Sequence, residues 1–451
     1  MSSNYLDRRV SEDLAREAEK GISLCQDPVG QGRLTRALVE QLQCVKLCRT
    51  LRYVAGKSAF YRQLYAEHGF DPTSVRSLSD LQRIPFTEPA HIVKEGCRLA
   101  CVPMGDVARI VTLTSSGTSG EPKRIFFTEG DLRHIAVLFA ADTKVVIGER
   151  KAIVQIMLPG ATPFGQADLL GKAIEIAGSV PVVTGTLPDV TSQIESIARN
   201  GCTALVGYPS YLYRLTKLGG LRHNLGKMGI EAVVTAGEPL LSSMKSVLED
   251  AWQAKVFCHY GLTEMGFNAG MGCGQGSGYH IHEADYIVEV VDPATGRPLE
   301  EGQEGELVIT SIHREGMPIV RYKTGDMTRM LPEPCLCGSS LKRIGSVNRR
   351  TRATIRVGDD EIDTSDFDER LFSIPEIIDY RVGVKNGTNS FKLLFLIQTA
   401  GETSLTPSAV QIIIAEELST RGISSKSGRA IDVRFVPSLE PAQKRCAVAL
   451  M

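Results

Sequence analysis

A chain of 451 residues, 43% of them hydrophobic, exceeds what one compact core organises and predicts two or more domains around a large buried interior. Its 51 basic and 52 acidic residues are interspersed and leave a formal net charge of −1, which gives neither nucleic acid nor an anionic membrane surface a field to read. No stretch reaches about 18 uninterrupted apolar residues, so no membrane contact and a cytoplasmic location are expected.

The start, MSSNYLDRRVSEDLAREAEK, is polar and helical in character and lacks the apolar core of a signal peptide. Apolar spacing in LTRALVEQLQCVKLCRTLRYV and AFYRQLYAEHG, followed by the punctuated DPTSVRSLSDLQRIPF, predicts a helical cap over residues 1–85. From 86 to 280, the short β-branched runs VARIVTL, RIFF, KAIVQIML, SVPVVTG, CTALVG, EAVVTAG and KVFCHYG alternate with helix-length segments. That pattern indicates α/β layering with largely buried sheets. Residues 281–348 turn β-rich, with YIVEVVDPATGRPL and GELVITSI joined by Gly and Pro turns, and complete an N-terminal core of 1–348. The basic stretch LKRIGSVNRRTRATIRVG marks a boundary. Beyond it, 349–451 predicts a small α+β domain: a hairpin at Asn386-Gly387 between DYRVGV and FKLLFLI, a helix in PSAVQIIIAEELSTRG and a final strand, IDVRFV.

The sharpest local feature is Thr114-Ser115-Ser116-Gly117-Thr118-Ser119-Gly120-Glu121-Pro122-Lys123, set between two strand-like runs. Glycines let the backbone N–H groups converge on an anion, hydroxyls add donors, and Lys123 supplies a point charge, which together describe a triphosphate cradle. The Walker spacing is absent and a strand follows, so this is a different kind of loop. Taken alone, the segment reads equally well as an exposed Ser/Gly turn.

The segment resembles the phosphate signature Ser-Ser-Gly-Thr-Thr-Gly-x-Pro-Lys of the adenylate-forming enzymes, and three further motifs follow in that family's order. Ala236-Gly237-Glu238-Pro239 stands where the family sets a loop against adenine. Tyr260-Gly261-Leu262-Thr263-Glu264 is similar to Tyr-Gly-x-Thr-Glu, and Tyr322-Lys323-Thr324-Gly325-Asp326 to Tyr-Arg-Thr-Gly-Asp. The resemblance narrows to the phenylacetate–coenzyme A ligase branch through SAFYRQLYAEHGFDPTSVRSLSDLQRIPFTEPAHI and GYHIHEADYIVEVVDPATGRPL, and deazaflavin-adenylylating synthetases share the Cys258-His259-Tyr260-Gly261 layout.

The resemblance implies a layered core with a small mobile C-terminal domain, and cofactors ATP, Mg2+ and coenzyme A. Tyr260 and His259 would lie at the adenine, Thr263 at phosphate, Glu264 on magnesium and Asp326 on the ribose hydroxyls, with Arg343 and Arg350 also at the nucleotide. Physical sense agrees: a carboxylate attacking the α-phosphate needs the developing negative charge neutralised, and one carboxylate can accept from two adjacent hydroxyls. An acyl pocket is expected from Tyr208, Ser210 and His259, suited to an aromatic or heteroaromatic acid.

Eleven cysteines in a chain of this length argue against a disulfide scaffold and for reduced thiols or metal ligands. Cys335 and Cys337 flank one residue at a turn, and Cys273 lies shortly before His280; three thiols and an imidazole suit structural Zn2+, with Cys258 or His282 as alternative ligands and buried free thiols as the competing reading.

Two family features are altered. The hinge pattern Gly-Arg-x-Asp-Asp corresponds to Arg349-Arg350-Thr351-Arg352-Ala353, in which Arg350 is kept and both acids are gone. The C-terminal lysine position falls on Ala442, with Lys444 just beyond as its candidate substitute for the catalytic step. Transfer to coenzyme A depends on the hinge more than nucleotide binding does. The leading expectation is therefore an AMP-forming acid–coenzyme A ligase, with a homodimer as its candidate assembly. An adenylyltransferase or an enzyme with another acyl acceptor, and an impaired nucleotide-binding homologue, stand as alternatives.

Overall fold

The structure, a computed structural model, describes residues 5–20, 34–113, 122–187, 189–347, 349–350, 354–357, 360–363, 365–386, 391–400, 403–420 and 430–439. Helices begin where a hydroxyl or carboxylate can take up free amides. Thr35 accepts from the Leu38 N–H at 3.4 Å and opens the helix Arg36–Lys57. Ser58 closes that helix through its own N–H to Val54 and opens the next, Ala59–Glu67, by accepting from Tyr61 N–H at 3.3 Å. Thr128 and Asp131 form a reciprocal capping box at the start of Glu129–Ile147. None of the described helices is long and apolar enough to cross a membrane.

The described chain divides into two compact units. The first comprises Met1–Lys151, Gly160–Pro181 and Phe257–Val347, and the second Ala152–Pro159, Val182–Val256 and Asn348–Met451. In the first unit, strands Arg109–Leu113 and Lys123–Phe127 pair antiparallel and end with Leu113 opposite Lys123. Both feet of the glycine-rich segment thus leave one end of a two-stranded ribbon. The β-rich part is antiparallel, running Tyr286–Val291, Glu304–Ser311, Tyr322–Leu331, Arg343–Ile344, Tyr279–Ile281 and Gly270–Met271, with His259 opposite Met271 beyond.

The N-terminal helix Tyr5–Glu19 is tied down by buried charge. Asp285 lies 2.8 Å from His134 Nε2 and 3.6 Å from Arg9, and the His134 ring stacks on His313 with centroids 3.4 Å apart. Burial pushes the Asp285 carboxyl up, yet His134 and Arg9 outweigh it and hold the group well below the usual carboxylate range. The Arg9 guanidinium and the imidazoles of His134 and His313 surround this carboxylate. Lys46 adds an ion pair to Asp13 and donates to the Ala284 carbonyl at 2.7 Å.

In the second unit, Ile153–Met157, Ala204–Gly207 and Ala232–Ala236 pair in parallel register, and Ala204–Gly207 is buried along its whole length, as strands covered on both faces must be. The C-terminal part forms a three-stranded sheet: Ile377–Asn386 antiparallel to Phe391–Thr399, which runs parallel to Ala430–Val436. The hairpin strands expected around Asn386-Gly387 are present; Gly387 itself lies outside the described residues. Phe367, Leu371, Phe372, Ile377, Tyr380 and Phe395 share one buried core with Tyr213 and Met244 of the helices Pro209–Gly220 and Ser242–Trp252. The Tyr213 hydroxyl donates to the Ile377 carbonyl at 3.1 Å, and Glu369 accepts from the Ser242 and Ser243 amides at 3.1 and 2.7 Å. A carboxylate from the C-terminal part thereby caps the helix Ser242–Trp252.

Candidate active site

Three motifs meet at Glu264. Lys123 opens its strand, Glu264 sits in the single 3-10 turn Thr263–Met265 that follows strand Lys255–Tyr260, and Tyr322 opens the strand Tyr322–Leu331. Lys123 Nζ lies 2.9 Å from Glu264 Oε1, the Tyr322 hydroxyl donates to the same oxygen at 2.8 Å, and Lys123 Nζ stands 3.2 Å from the Tyr322 oxygen. The carboxylate is buried, with 7% of the residue exposed. Burial pushes its pKa up, but the Lys123 ammonium and the hydrogen bonds it receives win and hold it below the ordinary value. An ionised buried carboxylate beside an ammonium has the donor chemistry for a divalent cation and a phosphate.

The turn that carries Glu264 is shaped by its glycines. A Cβ at Gly261 would stand 1.9 Å from the Phe267 carbonyl oxygen, and Gly266 has φ +76°, so neither position admits a side chain without backbone movement. Arg314 braces the turn from below: it donates to the backbone carbonyls of Glu264 and Phe126 and lies 4.5 Å from the Phe127 ring centroid. Thr263 begins the turn, half-buried.

Further along the same strands, the Tyr260 hydroxyl donates to Asp326 Oδ2 at 2.7 Å. Asp326 is 1% exposed, and its own N–H reaches Thr324 Oγ1 at 3.0 Å. The register of the partner strand shifts between Glu306 and Val308, opposite this motif, and Gly325 takes φ +77°. Such a bulge re-aims a strand residue, here the carboxylate expected at the ribose.

Next to Tyr260, His259 is buried, its ring 5.5 Å from Phe139 and its Nε2 without a hydrogen-bond partner. Burial pushes its pKa down, which favours the neutral imidazole. Asn268 donates to Asp142 Oδ2 at 2.6 Å, and His282 Nε2 lies 3.2 Å from Asp142 Oδ1. Sequence reasoning did not single out Asp142, Asn268, Arg314 or a role for Tyr322. Only Tyr322 lay within a recognised motif.

In the second unit, the loops expected at the acyl group and at adenine form one piece. Gly237 has φ +80°, and a Cβ there would stand 2.7 Å from the Tyr208 ring, so the ring packs directly against bare backbone. Glu238 accepts from the Ser210 N–H at 3.2 Å. Ala236 ends the strand that leads into Gly237, and Pro239 follows Glu238. Burial pushes the Tyr208 phenol up to about 12, so it stays neutral.

Ser115, Ser116, Gly117, Thr118, Ser119, Gly120 and Lys444 lie outside the described residues, and Arg350 is described only as part of the strand Arg349–Arg350. Arg343 is committed elsewhere than expected. It donates to the carbonyls of Ser277 and Glu333 at 2.9 and 2.6 Å, tying together the two loops that carry the cysteines.

Those loops assemble the cysteine and histidine set read from the sequence. Cys273 follows strand Gly270–Met271, His280 lies on Tyr279–Ile281, and Cys335 and Cys337 flank the exposed Leu336 in the connection to Arg343–Ile344. One ligand atom from each of Cys273, His280, Cys335 and Cys337 lies within 4.8 Å of all the others. Cys273 and Cys335 sulfurs are 3.5 Å apart, and Cys337 Sγ is 3.3 Å from His280 Nε2. Cys337 beside it holds the Cys273 thiol well below its ordinary value. Three sulfurs and one imidazole nitrogen converging on a point fit a tetrahedral zinc ion. Cys258 and His282 are not members of this set.

A nucleotide site of this composition, on this fold, has a match among known families. The family model described as AMP-binding enzyme covers residues 58–313. A phenylacetate–coenzyme A ligase of Thermus thermophilus is 30% identical over 355 residues, spanning 76% of this chain and 78% of that protein. Its counterpart in Pseudomonas putida is 27% identical over 353 residues, 75% of this chain and 76% of that protein. The chain belongs to the AMP-binding enzyme family, in the branch of the phenylacetate–coenzyme A ligases, and is an AMP-forming acid–coenzyme A ligase by type. The fold also matches a crystal structure of 2-hydroxyisobutyryl-CoA ligase in the postadenylation state with 2-HIB-AMP, at TM-score 0.76 and 20% identity over 92% of this chain and 89% of that one.

Proposed function

We propose that this protein uses ATP to convert an aromatic carboxylic acid to its acyl-adenylate with release of pyrophosphate, and then transfers the acyl group to coenzyme A with release of AMP. The contact among Lys123, Glu264 and Tyr322 carries the reading, because it joins a phosphate-loop lysine to an ionised carboxylate in a buried setting. Glu264 would hold magnesium, whose chemistry when bound is to neutralise charge on the phosphates. Lys123, with Ser115, Ser116, Gly117, Thr118, Ser119 and Gly120, binds the triphosphate, and Thr263 meets a phosphate oxygen. Asp326 takes the ribose hydroxyls, while Tyr260 and the segment Ala236, Gly237, Glu238 and Pro239 face adenine. The acid meets Tyr208, Ser210 and His259, and a neutral His259 imidazole with a free Nε2 suits a polar ring substituent. Lys444 supplies the C-terminal cation and Arg350 a second contact to the nucleotide.

Support for coenzyme A as acceptor comes from the relatives, whose names specify it. The loss of both hinge acids in Arg349-Arg350-Thr351-Arg352-Ala353 favours a second reading, in which the adenylate passes to another acceptor. Pyrophosphate exchange over a panel of aromatic acids tests the first half-reaction: acid-dependent exchange is expected, and none with any acid would refute it. Mass spectrometry of the products with and without coenzyme A then decides the acceptor.

We further propose that Cys273, His280, Cys335 and Cys337 hold a structural zinc ion, which would clamp the two loops that Arg343 also bridges. Elemental analysis should return one zinc per chain, and its absence from protein purified without chelators would dismiss the site.

A further inference from the structure

Glu264 receives two side-chain donors, and both fall on Oε1: the Lys123 ammonium at 2.9 Å and the Tyr322 hydroxyl at 2.8 Å. Lys123 also donates to the Tyr322 oxygen at 3.2 Å, so the three groups form a closed chain in which the lysine polarises the phenol and the phenol donates to the carboxylate. The two donors differ in how they are held. Lys123 is a flexible side chain whose proposed task is to meet phosphate, and on doing so it must give up at least part of its bond to Glu264. Tyr322 cannot follow it. The residue is 1% exposed and its backbone is fixed on both sides: Arg321 O accepts from Thr87 N–H at 3.0 Å, Lys323 N–H donates to Thr87 O at 3.0 Å, and Tyr322 stands opposite Ile309 in the sheet.

We infer that Tyr322 is a positioning residue for Glu264: its hydroxyl keeps hold of Oε1 when Lys123 moves to the triphosphate, so that the carboxylate stays oriented with its other oxygen turned to the incoming metal ion. This rests on the assignment of Glu264 as the magnesium ligand. The Lys123–Glu264 pair is then the resting arrangement that ATP and magnesium separate, and the phenol is the part of the triangle common to both arrangements. A hydroxyl donating to a carboxylate is a charge-assisted bond, stronger than a neutral one, and in a buried site there is no water to replace it cheaply.

The test is the Mg2+ dependence of acid-dependent pyrophosphate exchange in the full chain. Tyr322→Phe removes one oxygen and keeps the ring. It should raise the Mg2+ concentration at half-saturation about tenfold, the loss typical of one hydrogen bond to a charged group, with activity recovering at saturating Mg2+. In a Glu264→Gln background the same change should add less than about a twofold shift, because the partner charge is gone. A fluorinated tyrosine at position 322, a stronger donor of nearly the same shape, should shift half-saturation the opposite way, and it serves equally if the Phe variant does not fold. An unchanged Mg2+ half-saturation with activity lowered equally at every Mg2+ concentration would leave Tyr322 with packing alone and overturn the inference. So would a full shift that persists without Glu264. If Glu264→Gln itself leaves the Mg2+ dependence untouched, the magnesium role of Glu264 fails first and this inference falls with it.

Discussion

Glu264 in the first unit and Tyr213 in the second are both buried, and opposite kinds of contact hold them. Around Glu264, an ammonium, a phenol and a guanidinium converge on one short turn, backed by the Phe127 ring under Arg314 and by Ile135 beside Gly266. Around Tyr213, the contacts are mainly aromatic and aliphatic: its ring meets Phe372 edge-on at 5.2 Å, with Lys217 Nζ 5.5 Å from its centroid, and its hydroxyl bonds to backbone. A polar triangle depends on the identity of each member, since losing Lys123 or Glu264 strands the other's charge in a buried setting and losing the Tyr322 hydroxyl removes a donor from the carboxylate. An apolar core depends mainly on volume, and many sequences fill it. A substitution at Glu264 is therefore less readily absorbed than one in the core around the C-terminal sheet. It also bears on motion. A core shared by Tyr213, Met244 and the C-terminal sheet must be exposed if those parts separate, at about 25 cal/mol for each Å² of apolar surface.

Substitutions on the two sides should therefore fail in different ways. Tyr213→Ala should lower unfolding stability the most, by about 3–5 kcal/mol, measured by denaturant titration, with nucleotide affinity unaltered. A matching loss of ATP affinity would join the two regions that the contrast keeps apart. Lys123→Ala should act chiefly on the chemistry: pyrophosphate exchange falls about a hundredfold or more, as for removal of one preorganised charge at a transition state. Asp285→Asn probes buried charge outside the Glu264 triangle. A carboxyl whose folded pKa lies below its free value of about 3.9 stabilises the protein above that pH and loses its contribution as the pH falls through the folded value. The cost of the substitution should therefore be largest near neutrality, about 3 kcal/mol, and shrink below about pH 4; a pH-independent cost would mean that packing rather than charge holds the helix Tyr5–Glu19. Glu369→Ala should have the smallest effect, about 1 kcal/mol, as expected for loss of a helix cap.

Much of the architecture was legible because the buried strands are written as short β-branched runs, and each of KAIVQIML, CTALVG, EAVVTAG and KVFCHYG contains the strand it predicts. The cysteine and histidine set was legible because tight turns bring its members together within each loop. Two things were not. Tyr322 and Glu264 stand 58 positions apart, and Lys123 and Tyr322 199 apart, and spacing along the chain carries no trace of a contact that two separate strands and a turn create. Arg343 reads from its neighbours as a basic residue near a domain boundary; only the folded positions of Ser277 and Glu333 show it as a brace for the cysteine loops.

A crystal structure with magnesium and a non-hydrolysable ATP analogue tests the central claim most directly. The account predicts the triphosphate against Lys123, the metal on Glu264, the ribose at Asp326, and the Tyr322 oxygen still on Glu264. A nucleotide bound elsewhere, with the Lys123–Glu264 pair intact, would contradict it.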